Sequence, residues 1–200
     1  MDDVAARRWL VLSIGGGALF LALAAVVFSV GLLPGDVAIY NGILSRRTPA
    51  VREFFWWANF FGNWKALLPA TLLLLVVSPQ ARRRWWLIAL VMLGAPAIEH
   101  AAKVLVGRSR PQGSAMGFPS GHSTGAAAFA VFAIYFAVKE GWGRMRRLSL
   151  TVIVLILMIL VGIARMVLHA HWPSDVLGGF LLGGSCAAAG AWWDASRSPA

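Results

Sequence analysis

Six apolar stretches, each long enough to cross a bilayer as a helix, constrain this chain more than any other feature. Roughly twenty residues rising 1.5 Å each cover the hydrocarbon core, where every backbone N–H and C=O must be paired within the segment itself. The stretches run from about Trp9 to Leu33, Trp57 to Ser78, Trp85 to Val106, Pro119 to Val138, Leu148 to Leu168 and Pro173 to Trp193. The expected fold class is all-α, an integral membrane bundle of six transmembrane helices. No repeat or low-complexity linker divides the chain, so one membrane-embedded domain is expected over residues 1–200. Charged residues are only 13% of the chain and hydrophobic ones 59%, whereas about a quarter of a soluble domain is charged.

The first stretch follows Arg7 and Arg8 and is near 25 residues long. A secretory signal core is only about 7 to 15 residues, so this run reads as a retained span rather than a cleaved signal, twin-arginine signals included. Pro34-Gly35-Asp36 is expected to end it and open a polar connection. The second stretch is the weakest, because Asn59, Asn63 and Lys65 make its first turns polar. Phe54-Phe55-Trp56-Trp57, Phe60, Phe61 and Trp64 have the aromatic density of a membrane–water interface.

The formal charge of +10 does not imply nucleic acid, which would need a basic stripe on a soluble module. The basic residues lie in short clusters between the apolar runs. Arg7/Arg8, Arg82 to Arg84, Lys139/Arg144/Arg146/Arg147 and Arg197 fall on one side of a six-span chain, which predicts that both termini are cytoplasmic. The connections near residues 34–56, 107–118 and 169–172 then face the exterior or periplasm of a bacterial plasma membrane. They carry Arg46, Arg47, Arg52, Arg108 and Arg110 against the positive-inside trend, and such charges invite a functional explanation. The single cysteine, Cys186, excludes an intramolecular disulfide.

Phe118-Pro119-Ser120-Gly121-His122 opens the fourth span. A Pro at the first helical position, a Ser able to cap and a Gly permitting close approach read as a helix start. Its unpaired amides and the positive end of the helix dipole suit a phosphate-like anion, and His122 adds a titratable proton donor. All four histidines, His100, His122, His169 and His171, fall near the outward ends of spans three to six. Glu99, Lys103, Arg108, Arg110, Arg165 and Asp175 share that level, where ionisable groups are costly and usually functional.

Two chemistries compete for this set. His122, His169, His171 and Asp175 have donor types that suit zinc. Lys103, Arg110 and Arg165 would surround that ion with three cations, so repulsion favours an anion and a site without metal or other cofactor. Guanidinium forks, a lysine and helix-end amides match a tetrahedral phosphate. His171 precedes Pro173 at the start of the sixth span, and Asp175 follows four residues later. That spacing lets the carboxylate hold the imidazole Nδ1–H and leaves Nε2 to attack. His171 thus reads as the nucleophile, Asp175 as its orienting partner and His122 as the general acid.

Lys103, six residues, then Arg110-Pro111; Pro119-Ser120-Gly121-His122; and Arg165, five residues, His171, three residues, Asp175: this trio resembles the three-part signature of the type 2 phosphatidic acid phosphatase superfamily. The resemblance implies a helical bundle with a metal-independent phosphatase site near the outer membrane surface. It implies a phosphohistidine at His171, protonation of the leaving group by His122 and support from Asp175. Lys103, Arg110 and Arg165, with Ser120 and Gly121, would hold the phosphate. The third motif usually opens Ser-Arg, and Ala164 stands at the Ser position here, which removes one hydroxyl contact worth about 1 kcal/mol.

Glu99 lies one helical turn before Lys103 and is expected to pair with it in support of the site. His169 is expected to be structural, and Arg108 either screens a substrate headgroup or anchors the chain at the interface. The expected function is that of a lipid phosphate or diphosphate phosphatase working in the bilayer. By resemblance the first substrate to consider is undecaprenyl diphosphate, then phosphatidylglycerophosphate, phosphatidic acid and lipid A 1-phosphate. A lipid phosphotransferase shares the first step, and a non-catalytic lipid-binding protein would have no use for the His171/Asp175 pair. The related vanadium-dependent haloperoxidases are soluble, which the apolar spans argue against. Oligomeric state leaves no trace in the sequence.

Overall fold

In the computed structural model residues 3–197 are described, and the ends of the expected 1–200 domain lie outside them. Among the described residues the chain forms nine helices and no strand: α1 (Asp3–Val30), α2 (Pro34–Leu44), α3 (Pro49–Phe60), α4 (Trp64–Val77), α5 (Pro79–Arg83), α6 (Trp85–Val106), α7 (Gly121–Lys139), α8 (Arg144–Val167) and α9 (Pro173–Ser196). Five of them, α1, α6, α7, α8 and α9, are long and apolar enough to cross a membrane. A sixth span is reached if α3 and α4, bent by 47° where they meet, count as one.

Several boundaries differ from the sequence expectation. Pro34-Gly35-Asp36 starts a helix instead of opening a polar connection. Pro34 takes the first helical position and the Asp36 carboxylate accepts the N–H of Leu33 at 3.1 Å, which satisfies an otherwise orphaned amide. The expected connection over 34–56 is therefore mostly helix, with Thr48 capping α3. The second span is broken because Asn63 caps a fresh start at α4, its side chain accepting the N–H of Lys65 at 3.0 Å. The fourth span begins at Gly121 rather than Pro119. Ser120 stays extended, because its N–H is drawn to the carbonyl of Asp175 at 2.9 Å. The fifth begins four residues early, at Arg144, whose neighbour Arg146 stacks over Trp142 at 3.6 Å.

The buried centre of the bundle is α9, packed against α1, α6 and α7. Its seam with α7 is set by glycine: a Cβ at Gly179 would lie 2.5 Å from the Ser120 carbonyl oxygen, so no larger residue fits. Around it Ile88, Phe132, Tyr135, Phe136, Ala187 and Ala191 form the largest apolar cluster. Phe118 stacks on Phe20 at 5.9 Å toward the His171 end. At the opposite end Asp194 of α9 is fully buried and pairs with Arg84 and Lys139 while the Tyr135 hydroxyl donates to it at 2.6 Å. Three helix ends are tied together there. The apolar side chains of α1, α4 and α8 that face outward are those a bilayer would cover.

Candidate active site

Chain ends rather than helix centres build the site. Helix α8 stops in a left-handed turn at His169 (φ +58°), with the N–H groups of His169 and Ala170 returning to the carbonyls of Met166 and Arg165 at 3.0 and 2.9 Å. Glycine usually occupies that position. Here the imidazole is held from both sides: Arg47 donates to Nε2 at 2.8 Å, so Nδ1 carries the proton and donates to the Tyr40 hydroxyl at 2.5 Å. Burial and then the Arg47 charge keep His169 below its usual pKa, which suits this neutral tautomer. The turn delivers His171 two residues later, with its own N–H on the Arg165 carbonyl at 3.2 Å.

His171 is buried, and its Nδ1 lies 3.3 Å from the Asp175 carboxylate on the first turn of α9. Burial first, then the Arg165 and Lys103 charges, push its pKa down to about 4 against the pull of Asp175. The imidazole is therefore neutral at physiological pH. The other Asp175 contacts fix the carboxylate: the Trp172 N–H donates to Oδ2 at 2.9 Å and Arg108 donates to Oδ1 at 2.8 Å.

The cations expected on phosphate take different stances. Lys103 is buried and spends its ammonium on Glu99 at 2.8 Å and on the carbonyls of Pro119 at 2.5 Å and Met116 at 3.2 Å. Arg110 is half-buried, with the Met116 carbonyl at 3.4 Å. The Arg165 guanidinium is aimed by the Asn59 side chain of α3 at 2.7 Å, and its Nε is buried without a protein partner. Gly121 makes room for Glu99, whose Oε1 would be 2.9 Å from an added Cβ. Ser120 is fully buried; its hydroxyl accepts from Ser123 at 3.0 Å and caps no helix amide. His122 sits in the first turn of α7 against Gly62, where an added Cβ would be 3.0 Å from its own. His100 is exposed on α6. No group of three or more His, Cys, Asp or Glu able to hold a metal occurs among the described residues.

Two residues escaped the sequence expectation. Arg108 neither screens nor anchors: it is 6% exposed and bridges Asp175 to Asp36, a 2%-exposed carboxylate on α2. Asp36 also accepts the Ser174 N–H at 2.9 Å and the Ser174 hydroxyl at 2.7 Å. Burial opposes its charge, yet these bonds and Arg108 hold it below the usual carboxylate range. The legible signal was a repeated start, Leu33-Pro34-Gly35-Asp36 and Trp172-Pro173-Ser174-Asp175, in which each Asp caps the amide three residues before it.

An apolar cavity of about 220 Å³ opens between α4, α7 and α8, lined by Phe61, Leu67, Val154, Val161 and Ala126 among others, the last of these one turn along α7 from His122. Known proteins share this architecture. The sequence description of the PAP2 superfamily matches residues 84–198, more than half of the chain. Phosphatidylglycerophosphatase B of Bacillus subtilis (strain 168) is 31% identical over 173 residues, 82% of this chain and 85% of its own. The crystal structure of a transmembrane PAP2 type phosphatidylglycerolphosphate phosphatase from Bacillus subtilis superposes with a TM-score of 0.83 at 27% identity, over 94% of this chain and 98% of that one. LpxE of Aquifex aeolicus shares the fold, with a TM-score of 0.66 at 19% identity over 79% of this chain and 95% of that one.

Proposed function

This chain belongs to the PAP2 superfamily and is a phosphoric ester hydrolase of a bacterial membrane, and we propose that it removes phosphate from a membrane lipid through a phosphohistidine at His171, without a metal. The observation that carries this reading is the neutral His171 with Nδ1 turned to Asp175, which leaves Nε2 as the attacking atom. Nε2 forms a bond to phosphorus while the bond from phosphorus to the lipid oxygen breaks. His122 gives its proton to that oxygen, and the lipid alcohol, or the lipid monophosphate from a diphosphate, departs. Water then attacks the phosphohistidine, returns a proton to His122 and releases inorganic phosphate.

Arg165, presented by Asn59, and the half-buried Arg110 take the equatorial oxygens whose charge grows in the transition state. Lys103 adds its field from behind while it fixes the Met116 and Pro119 carbonyls; Ser120 and Gly121 supply the start of α7, and Glu99 orients Lys103. The apolar cavity that starts at Ala126, one turn along α7 from His122, suits the lipid tail. Both termini are proposed to be cytoplasmic and the site to face the exterior or periplasm, following the basic clusters.

The name of the Bacillus subtilis relative puts phosphatidylglycerophosphate first among substrates, with undecaprenyl diphosphate, suggested by the motifs, beside it. The test is phosphate release by detergent-purified protein from these two lipids, phosphatidic acid and lipid A, each with excess EDTA, alongside His171→Ala. Release that withstands EDTA and falls by roughly 10⁴-fold or more in the variant is expected. Loss of activity on chelation, or an active His171→Ala enzyme, overturns the mechanism.

A further inference from the structure

Two helices begin with the same grammar and meet face to face. In α2 and in α9 a proline at the first helical position is followed two residues later by an aspartate that caps the preceding amide. Arg108 lies between them with one nitrogen on Asp175 and the other on Asp36. Ser174 completes the junction: its hydroxyl accepts from Arg108 at 2.6 Å and donates to Asp36 at 2.7 Å, and its N–H reaches the other Asp36 oxygen at 2.9 Å. All four side chains are buried.

We infer that Asp36 and Arg108 are positioning residues for the nucleophile, locking the Asp175 carboxylate in the orientation that holds Nδ1 of His171. The inference rests on the proposed phosphohistidine reaction. Two carboxylates share one guanidinium, so Arg108 cannot neutralise Asp175 alone; Asp36 takes part of its charge. Asp175 therefore keeps negative charge for the His171 Nδ1–H, which becomes more acidic as Nε2 bonds to phosphorus. Without Asp36, the guanidinium would turn wholly onto Asp175 and draw that charge away from the imidazole. The fork geometry matters as much as the charge, since the planar guanidinium presents separate, diverging nitrogens to the two carboxylates, a spread that the single nitrogen of a lysine lacks. The α2 helix, outside the family's three motifs, thereby becomes part of the catalytic apparatus without touching substrate.

The test is rapid-quench measurement of phosphoenzyme on the full-length protein, which separates the rate of the first step from the fraction of active molecules. Asp36→Asn is expected to slow phosphoenzyme formation by roughly 10- to 100-fold, the range carried by partners that orient metal-bound imidazoles. The burst amplitude per folded molecule and KM stay unchanged. Asp36→Glu, which keeps the charge at the same helix start, recovers part of the rate, and Arg108→Lys does not. Ser174→Ala removes one hydroxyl from the junction and provides a milder variant, expected to slow the burst by a few-fold, should Asp36→Asn not fold. A wild-type burst rate in folded Asp36→Asn or Ser174→Ala, with only amplitude or melting temperature lowered, overturns the inference. Wild-type protein that hydrolyses lipid without any phosphohistidine overturns the proposed mechanism instead.

Discussion

At one end of α9, Asp175 shares Arg108 with a second carboxylate and turns an oxygen to His171. Nineteen residues on, about 28 Å along the helix, Asp194 is met by Arg84, Lys139 and the Tyr135 hydroxyl. Both carboxylates are fully buried, so burial alone does not distinguish a site from a staple. The balance of charge does. Among the described residues two cations meet the Asp194 carboxylate, Arg84 at the cap of α6 and Lys139 at the end of α7, and this ties the ends of α6, α7 and α9 together. Around Arg108 carboxylates outnumber the cation, and the excess negative charge points at an imidazole.

The largest test of this contrast is a matched pair of amide substitutions. Asp175→Asn should lower kcat by roughly 10³- to 10⁴-fold, as loss of the carboxylate behind a catalytic imidazole does elsewhere, with little change in KM. Asp194→Asn should leave kcat of the folded fraction intact and lower stability by about 3 kcal/mol, because the half-buried Arg84 and Lys139 lose the fully buried carboxylate they share. Turnover of each variant, set beside its thermal melting in detergent, checks both. A folded Asp194→Asn protein that has lost turnover would show that the two ends are not separable.

How much of this contrast was legible differs between the ends. The His171, Asp175, Arg165 and His122 spacings are local, so the sequence carries them directly. Arg84 and Lys139 were visible only as topology signals, since their partner Asp194 lies in an apolar run far along the chain. Asp36 was hidden differently: Pro34-Gly35 reads as a helix stop, and Ser174, the residue that gives the carboxylate its meaning, is 138 positions away. Periodicity gives helices and their apolar faces, but which two helix starts meet is decided by packing across the whole bundle. The left-handed turn at His169 was illegible for the same reason, because Tyr40 and Arg47 of a distant segment hold a conformation usually left to glycine.

A smaller effect separates the ends by pH. His171 titrates near 4 in the folded protein and near 6.5 when unfolded. Between those values the unfolded chain binds the extra proton, so stability falls as pH drops from about 6.5 to about 4 and this contribution is fully lost below that. At pH 5 the loss relative to neutral pH is about 2 kcal/mol. Melting of wild type at pH 7 and pH 5, compared with His171→Ala, reads it: the variant should lack this part of the decline. The acid limb of kcat/KM should likewise fall near pH 4 rather than 6.5, since protonation of His171 removes the attacking lone pair. A limb near 6.5 would mean that the Asp175 charge outweighs burial at Nδ1.

The smallest expected change concerns the residue where the third motif departs from its usual form. Ala164 is fully buried on α8, immediately before Arg165. A serine there sits in the last helical turns, where its hydroxyl can return to the carbonyl one turn back, that of Leu160, and compete with any contact to phosphate. The net value of such a bond is about 1 kcal/mol, so Ala164→Ser should change kcat/KM by no more than about fivefold, through KM rather than kcat. Steady-state kinetics on the best lipid decides this. A much larger gain, confined to one headgroup, would make position 164 a determinant of substrate choice and extend the charge-selective end of α9 by one more helix.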